Sequence, residues 1–132
     1  MNRPRAGIGR LAAVAPRCFG PLAIQSLTAK GRPFSVVRIA MGANSSTPAL
    51  SHARTSEFFL VVEGGMRARI GDRTRRMKAG DFAFLPPGTV HEFFVGRRGA
   101  EVLVVFSPFY DFNRPDNVFC RPSDAALIHR KK

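Results

Sequence analysis

No stretch of this sequence approaches the ~18 consecutive apolar residues of a membrane-spanning helix. The longest early apolar run, Leu11 to Pro16, is also shorter than the ~7–15-residue core of a signal peptide. Neither a span nor a secretion signal is expected, and the cytoplasm is the expected compartment. Cysteine is scarce: Cys18 and Cys120 lie near opposite ends, with no CxxC pair and no Cys/His cluster. That ligand count excludes a structural zinc site, and two unpaired thiols are a simpler reading than a bridge between the ends. Acids are few as well. Nine Asp and Glu oppose 21 Lys and Arg, giving a net charge of +12, and none of the acids precedes Glu57. Such a balance raises the prior for nucleic acid, membrane surfaces or anionic substrates without choosing among them. There is no GxxxxGK[ST] loop and no GxSxG elbow, so a phosphate-cradling loop and that type of serine nucleophile are excluded.

What is present is enough for one core: 132 residues, 45% of them hydrophobic and 23% charged, a composition that argues for a single folded domain rather than disorder. Residues 1–19 carry Arg3, Arg5, Arg10 and Arg17 with Pro4 and Pro16 and show no sustained period. They have the Arg content of a transit peptide but little Ser or Thr, and read as a loosely ordered basic arm. From residue 20 short apolar runs alternate with Gly, Pro and Asn turns, as in a β protein. The expected strands are Leu22 to Leu27, Phe34 to Met41, Glu57 to Glu63, Met66 to Ile70, Arg73 to Lys78, Phe82 to Leu85, His91 to Val95 and Glu101 to Ser107. After Ser107 a tail, residues 108–132, offers a short helix at Ser123 to His129. Frequent turns and no long amphipathic helix predict an all-β sandwich or barrel over residues 20–107.

Two segments carry chemistry. Gly80-Asp81-Phe82-Ala83-Phe84-Leu85-Pro86-Pro87-Gly88-Thr89-Val90-His91 sets two turns around a strand and ends on a histidine that opens the next strand. Upstream, four residues separate His52 from Glu57, and six separate Glu57 from Gly64. Together these segments resemble the two motifs of the cupin family: G, five residues, P, one, G, two, H, and H-x-H, three or four residues, E, six residues, G. The resemblance covers about residues 20–107. It departs from the family at two places, Leu50 in place of the first His of the pair and Val95 in place of a trailing Asn. It implies a cupin jelly-roll β-barrel, a homodimer, and an interior metal held in the family by three His and one Glu. Carried over position by position, the ligands are His52, Glu57 and His91, with no donor at Leu50.

Two imidazoles and one carboxylate are the donor types of non-heme iron oxygenases, which leave open positions for substrate and O₂. One divalent transition ion (Fe, Zn, Ni or Mn) is the expected cofactor. The alternative is a decayed site, with His52 and Glu57 left as a polar pair in an apolar pocket. By the two-residue strand period Phe59, Val61 and Phe93 share a face with the ligands and, with Leu50, form an apolar and aromatic pocket for a small organic ligand or substrate. Arg38, mid-strand, faces either an acidic substrate or solvent. His129 reads as solvated beside Arg130, Lys131 and Lys132. Arg67, Arg69, Arg73, Arg75, Arg76 and Lys78 form the densest basic patch, without interleaved aromatics or a known nucleic-acid module, so a solvated strand face is expected and no nucleic-acid partner. Residues 58–62 and 102–106 are apolar on both faces, and the outer one calls for a cover by a second sheet, a tail or another subunit, the main hint of a dimer. Three functions fit: a metal-dependent oxygenase acting on a small organic or aromatic substrate, a non-catalytic metal- or ligand-binding cupin, and a metal-free isomerase or cyclase using His52 or His91 as general base.

Overall fold

The computed structural model of the chain describes residues 6–121 and 124. The expected helix at 123–129 and the His129 reading lie outside the described residues, Asp124 apart. Among the described residues nine strands form one curled antiparallel sheet: β1 (Arg17–Phe19), β2 (Leu22–Ser26), β3 (Ser35–Met41), β4 (Leu50–His52), β5 (Ser56–Ile70), β6 (Arg73–Lys78), β7 (Phe82–Leu85), β8 (His91–Ser107) and β9 (Asn117–Phe119). The long strands β5 and β8 pair with each other, and the rest attach to them: β3, then β2 and β1, beside one half of β8, and β6 and β7 beside β5. This is the all-β jelly roll that the sequence predicts. Among the described residues no helix is long and apolar enough to cross a membrane.

Strand alternation generates the core. In β3, Val37, Ile39 and Met41 are buried while Val36, Arg38 and Ala40 are only partly so, as expected when successive side chains point to opposite faces. The two long strands correct the expectation of four short ones. In β5 the buried positions are Glu57, Phe59 and Val61, then Met66 and Ala68; in β8 they are His91, Phe93 and Val95, then Gly99 and, in alternation, Ala100, Val102, Val104 and Phe106. The odd–even pattern resets within each strand, and in sequence that reset looks like a turn. It is instead a pair of register shifts in one bent strand, between Val61 and Glu63 and between Gly64 and Met66, the local bend that β-bulges produce.

Glycine makes the bend possible. Gly64 has φ +73°, and a Cβ there would lie 2.1 Å from the carbonyl oxygen of Gly99 on the neighbouring strand. Gly64→Ala would therefore combine left-handed backbone strain with a clash against main chain, and should cost at least about 2 kcal/mol. Urea unfolding would show this as a lowered midpoint; an unchanged midpoint would mean that the two strands do not cross this closely.

The domain edges also differ from expectation. The sheet begins at Arg17, inside the expected basic arm, because Phe19 inserts into the core. It extends beyond residue 107, because the segment after Ser107 folds back on the barrel. The backbone N–H of Tyr110 donates to Ser35 Oγ, Tyr110 stacks on Phe106, and β9 pairs with β4. Cys18 and Cys120 are both free and exposed.

Candidate functional site

Three strands deliver the predicted ligands to one place. Leu50 and His52 are two apart in β4 and line the same cavity, whereas Ser51 between them does not. Glu57 enters near the start of β5. His91 opens β8 opposite Leu50, after a turn in which Gly88 (φ +83°) donates its N–H to the carbonyl of His52 at 2.8 Å. The second motif is thus tied physically to the first.

His52, Glu57 and His91 are all buried, and one potential ligand atom from each lies within 4.8 Å of the other two. His52 Nε2 is 3.1 Å and His91 Nε2 3.7 Å from the same oxygen, Glu57 Oε1. Donors bound at ~2.0–2.2 Å to a shared ion lie about 3–3.5 Å apart, so a small contraction suffices. His91 Nδ1 lies 3.0 Å from the carbonyl oxygen of Thr89. A carbonyl can only accept, so Nδ1 carries the proton, and in neutral His91 the Nε2 lone pair faces Glu57. Such support for the far nitrogen is what metal-bound histidines usually have. Burial alone would push the Glu57 carboxyl up; the hydrogen bond from His52 and the charges of His91 and His52 outweigh it and hold the group below its ordinary value. These donors fit a divalent ion by type, burial and spacing.

The cavity around them measures about 80 Å³ and is lined by Leu50, Phe59, Phe93, Phe106, Tyr110 and Asn117 among others. Three of the four expected pocket residues are there. Val61 is the exception: fully buried in the core, it is not among the lining residues. Two places further along β5 than Phe59, it sits past the cavity, where its N–H bonds the carbonyl of Asp81. Arg38 is on the outward face, bonded to Gln25 and paired with Glu101, and does not meet the cavity. In the basic hairpin, Arg69 pairs with Glu92 and the Arg67 guanidinium lies 4.9 Å from the Phe94 ring centroid.

Sequence reasoning missed the contribution of the segment after Ser107. Tyr110 packs edge-on against the His52 ring, with centroids 5.1 Å apart, and its hydroxyl donates to Asn117 Oδ1 at 2.7 Å. Burial first, then the charges of Glu57 and Asp116, push this phenol far up despite the opposing bond to Asn117, so it stays protonated. Asp116 Oδ2 accepts from the Arg54 N–H at 2.7 Å and from the Thr55 hydroxyl at 2.8 Å. Burial would raise this carboxyl, but those two hydrogen bonds and the charge of His52 bring it below its ordinary value. The other oxygen, Oδ1, is 3.6 Å from His52 Nδ1, and both atoms are buried without a hydrogen-bond partner. The sequence signal was the aromatic cluster Phe109-Tyr110-Asp111-Phe112, too rich in apolar rings for a solvated tail.

Comparison with known proteins bears on the family and the fold. The family model described as "Cupin domain" matches residues 35–106. An uncharacterized protein of Aquifex aeolicus is 33% identical over 60 residues, 46% of this chain, which spans only 50% of that relative. A RmlC-like cupin from Shewanella frigidimarina superposes with a TM-score of 0.71 at 23% identity, over 79% of this chain and 92% of that one. The Bacillus subtilis oxalate decarboxylase, described with Mn(II) centres, superposes with a TM-score of 0.70 at 16% identity over 86% of this chain, which covers 34% of that protein. At these identities the structural likeness establishes the fold.

Proposed function

The chain belongs to the cupin domain family, and from that premise we propose that it is a small metal-binding cupin in which His52, Glu57 and His91 hold one divalent transition ion (Fe, Zn, Ni or Mn), serving as a metal-dependent oxygenase of a small organic substrate. One observation carries this reading: three buried donor atoms from three different strands converge to within 4.8 Å in a single cavity. When bound, the ion would supply Lewis-acid or redox chemistry at its open positions. The chain itself does the rest. Phe59 and Phe93, with rings 5.3 Å apart, keep water from one side. Leu50 offers no donor and leaves its side of the site open and apolar. Tyr110 directs its proton to Asn117 and holds the His52 ring by its edge. At about 80 Å³ the cavity is well below the ~300–1,000 Å³ of drug-sized pockets, so the substrate is a molecule of few heavy atoms. An aromatic ring would need the cavity to open.

Leu50 favours a second reading, in which the site holds no ion. The protein then binds a small ligand without catalysis, or acts as an isomerase or cyclase with His52 or His91 as general base. Elemental analysis of protein purified without a His tag separates the two. The first reading expects about one transition ion per chain; a metal-free preparation that also takes up none on dialysis supports the second.

The same reading includes a homodimer. Rows of opposed residues run across the outer face: Phe84, Phe58, Val105 and Val36 in one, Phe82, Leu60 and Leu103 in the next. Phe82 and Phe84 are 67% and 62% exposed, and they sit on β7, which among the described residues pairs only with β5. An apolar patch of this kind on an unpaired edge favours association with a matching patch, and a two-fold contact supplies one. Light scattering should give twice the 14.5 kDa chain mass, and Phe82→Glu with Phe84→Glu should reduce it to the single-chain value. A wild type that is monomeric over a wide concentration range contradicts the dimer.

A further inference from the structure

We propose that the groove on the outer face of β6, β5 and β8 binds a single strand of nucleic acid, with its phosphates on the basic side chains and a base against Phe94. The groove measures about 700 Å³ and is lined by Arg67, Arg76, Lys78, Arg97 and Arg98, with Glu63 the one acid there among the described residues. All five cations are exposed, and none has an ion-pair partner among the described residues. Of the lining residues only Met66 also lines the buried cavity, so the groove stands independently of the metal centre.

Strand register gathers these charges. Arg76 on β6 lies directly opposite Arg67 on β5, which lies opposite Phe94 on β8. Lys78, two residues along from Arg76, is opposite Gly65. Gly64, Gly65 and Gly96 also line the groove, so part of its wall is bare main chain. Like charges directly opposed across a sheet are destabilising. The neighbouring row avoids this, because there Arg69 faces Glu92 and pairs with it. Basic residues on an open edge deter unwanted strand pairing, which accounts for Arg76 and Lys78 on β6. It does not account for Arg67, which lies between two paired strands, or for Arg97 and Arg98 at the bend of β8. An anion in the groove would relieve the repulsion among all five.

The chemistry of the groove selects the anion. Guanidinium groups match phosphate oxygens in pairs. Three strands at ~4.8 Å spacing make the groove about 10 Å across, narrower than the ~12 Å major groove of a duplex, so one strand enters and a duplex does not. Phe94 is 36% exposed, with the Arg67 guanidinium 4.9 Å from its ring centroid. Unstacked bases stack on aromatic rings and on guanidinium planes of this kind. The basic hairpin has no aromatic of its own, and the sheet supplies one from β8. A flat lipid surface does not enter a recess, and an acidic peptide would satisfy the charges without using the ring.

The test is fluorescence anisotropy of a labelled short oligothymidylate with the 132-residue chain. With five phosphates neutralised, the logarithm of the affinity should fall with that of salt at a slope of about −3.5, a loss of about 100-fold between ~50 and ~200 mM. Arg76→Ala with Arg98→Ala should flatten the slope to about −2.1 and weaken binding at low salt by at least about tenfold. Phe94→Leu keeps an apolar side chain and should weaken binding about 5–150-fold through loss of one base stack, with the slope unchanged. Arg10→Ala with Arg114→Ala removes the same charge from outside the groove and should bind within a few-fold of the wild type. Circular dichroism confirms that each variant is folded. Three results overturn the proposal: no binding by the wild type at low salt, an equal loss in the Arg10 and Arg114 control, or a Phe94→Leu protein that binds like the wild type. Equal competition by duplex or by inorganic tripolyphosphate also overturns it, as does binding to phosphatidylserine vesicles without binding to the oligothymidylate.

Discussion

His91→Ala is expected to raise the dissociation constant for the bound ion by more than about 100-fold. Loss of a supporting partner alone typically costs about 10–100-fold, and here a ligand itself is lost. The remaining pair, His52 and Glu57, has a 3.1 Å contact of its own, so the carboxylate would turn from the ion to the imidazole. The fold should survive. His91 contributes its backbone to the pairing with Leu50 and Ile70, and an alanine keeps that pairing. Competition against a chromogenic chelator measures the affinity, and circular dichroism checks the fold. A folded His91→Ala protein that binds within a few-fold of the wild type would show that His91 is not a ligand.

Leu50→His should act in the opposite direction. Leu50 is buried, lines the cavity, and lies two residues from His52 on one strand face. An imidazole there would add a fourth donor to the set and restore the family pattern. Binding should tighten by at least about tenfold, the step from three protein ligands to four that separates open from closed sites. Without the ion the substitution should destabilise, because it buries a polar ring whose nitrogens lack partners, at a cost of about 1–3 kcal/mol. With the ion at 100 times its dissociation constant, linkage returns about 2.7 kcal/mol. The variant should therefore melt below the wild type when metal-free and gain more on loading. Melting temperatures with and without zinc test both signs, and a variant that gains no more than the wild type contradicts the geometry assigned to position 50.

The parts of this site that were legible in the sequence are those encoded by short, rigid spacings. His52 to Glu57 spans the link from β4 to β5, and Gly80 to His91 spans β7 and the Pro86-Pro87-Gly88 turn, so each motif fixes its own local geometry. Phe59 and Phe93 followed from strand period alone. Val61 did not, since period assigns a face but not a depth. The bends in β5 and β8 read as turns because a bulge and a turn both reset alternation. Asp116 was illegible because its place depends on long-range packing of Tyr110 and Phe112 against Phe106 and on the three-residue strand β9, too short to show a period.

Calorimetric titration of metal-free wild-type protein with Fe(II), Zn(II), Ni(II) and Mn(II) tests the metal centre most directly. A cavity in which His52, Glu57 and His91 converge should take up one ion per chain from at least one of these titrants. No uptake of any of the four by the wild type, together with strong binding by Leu50→His, would contradict it and identify a metal-free binding protein.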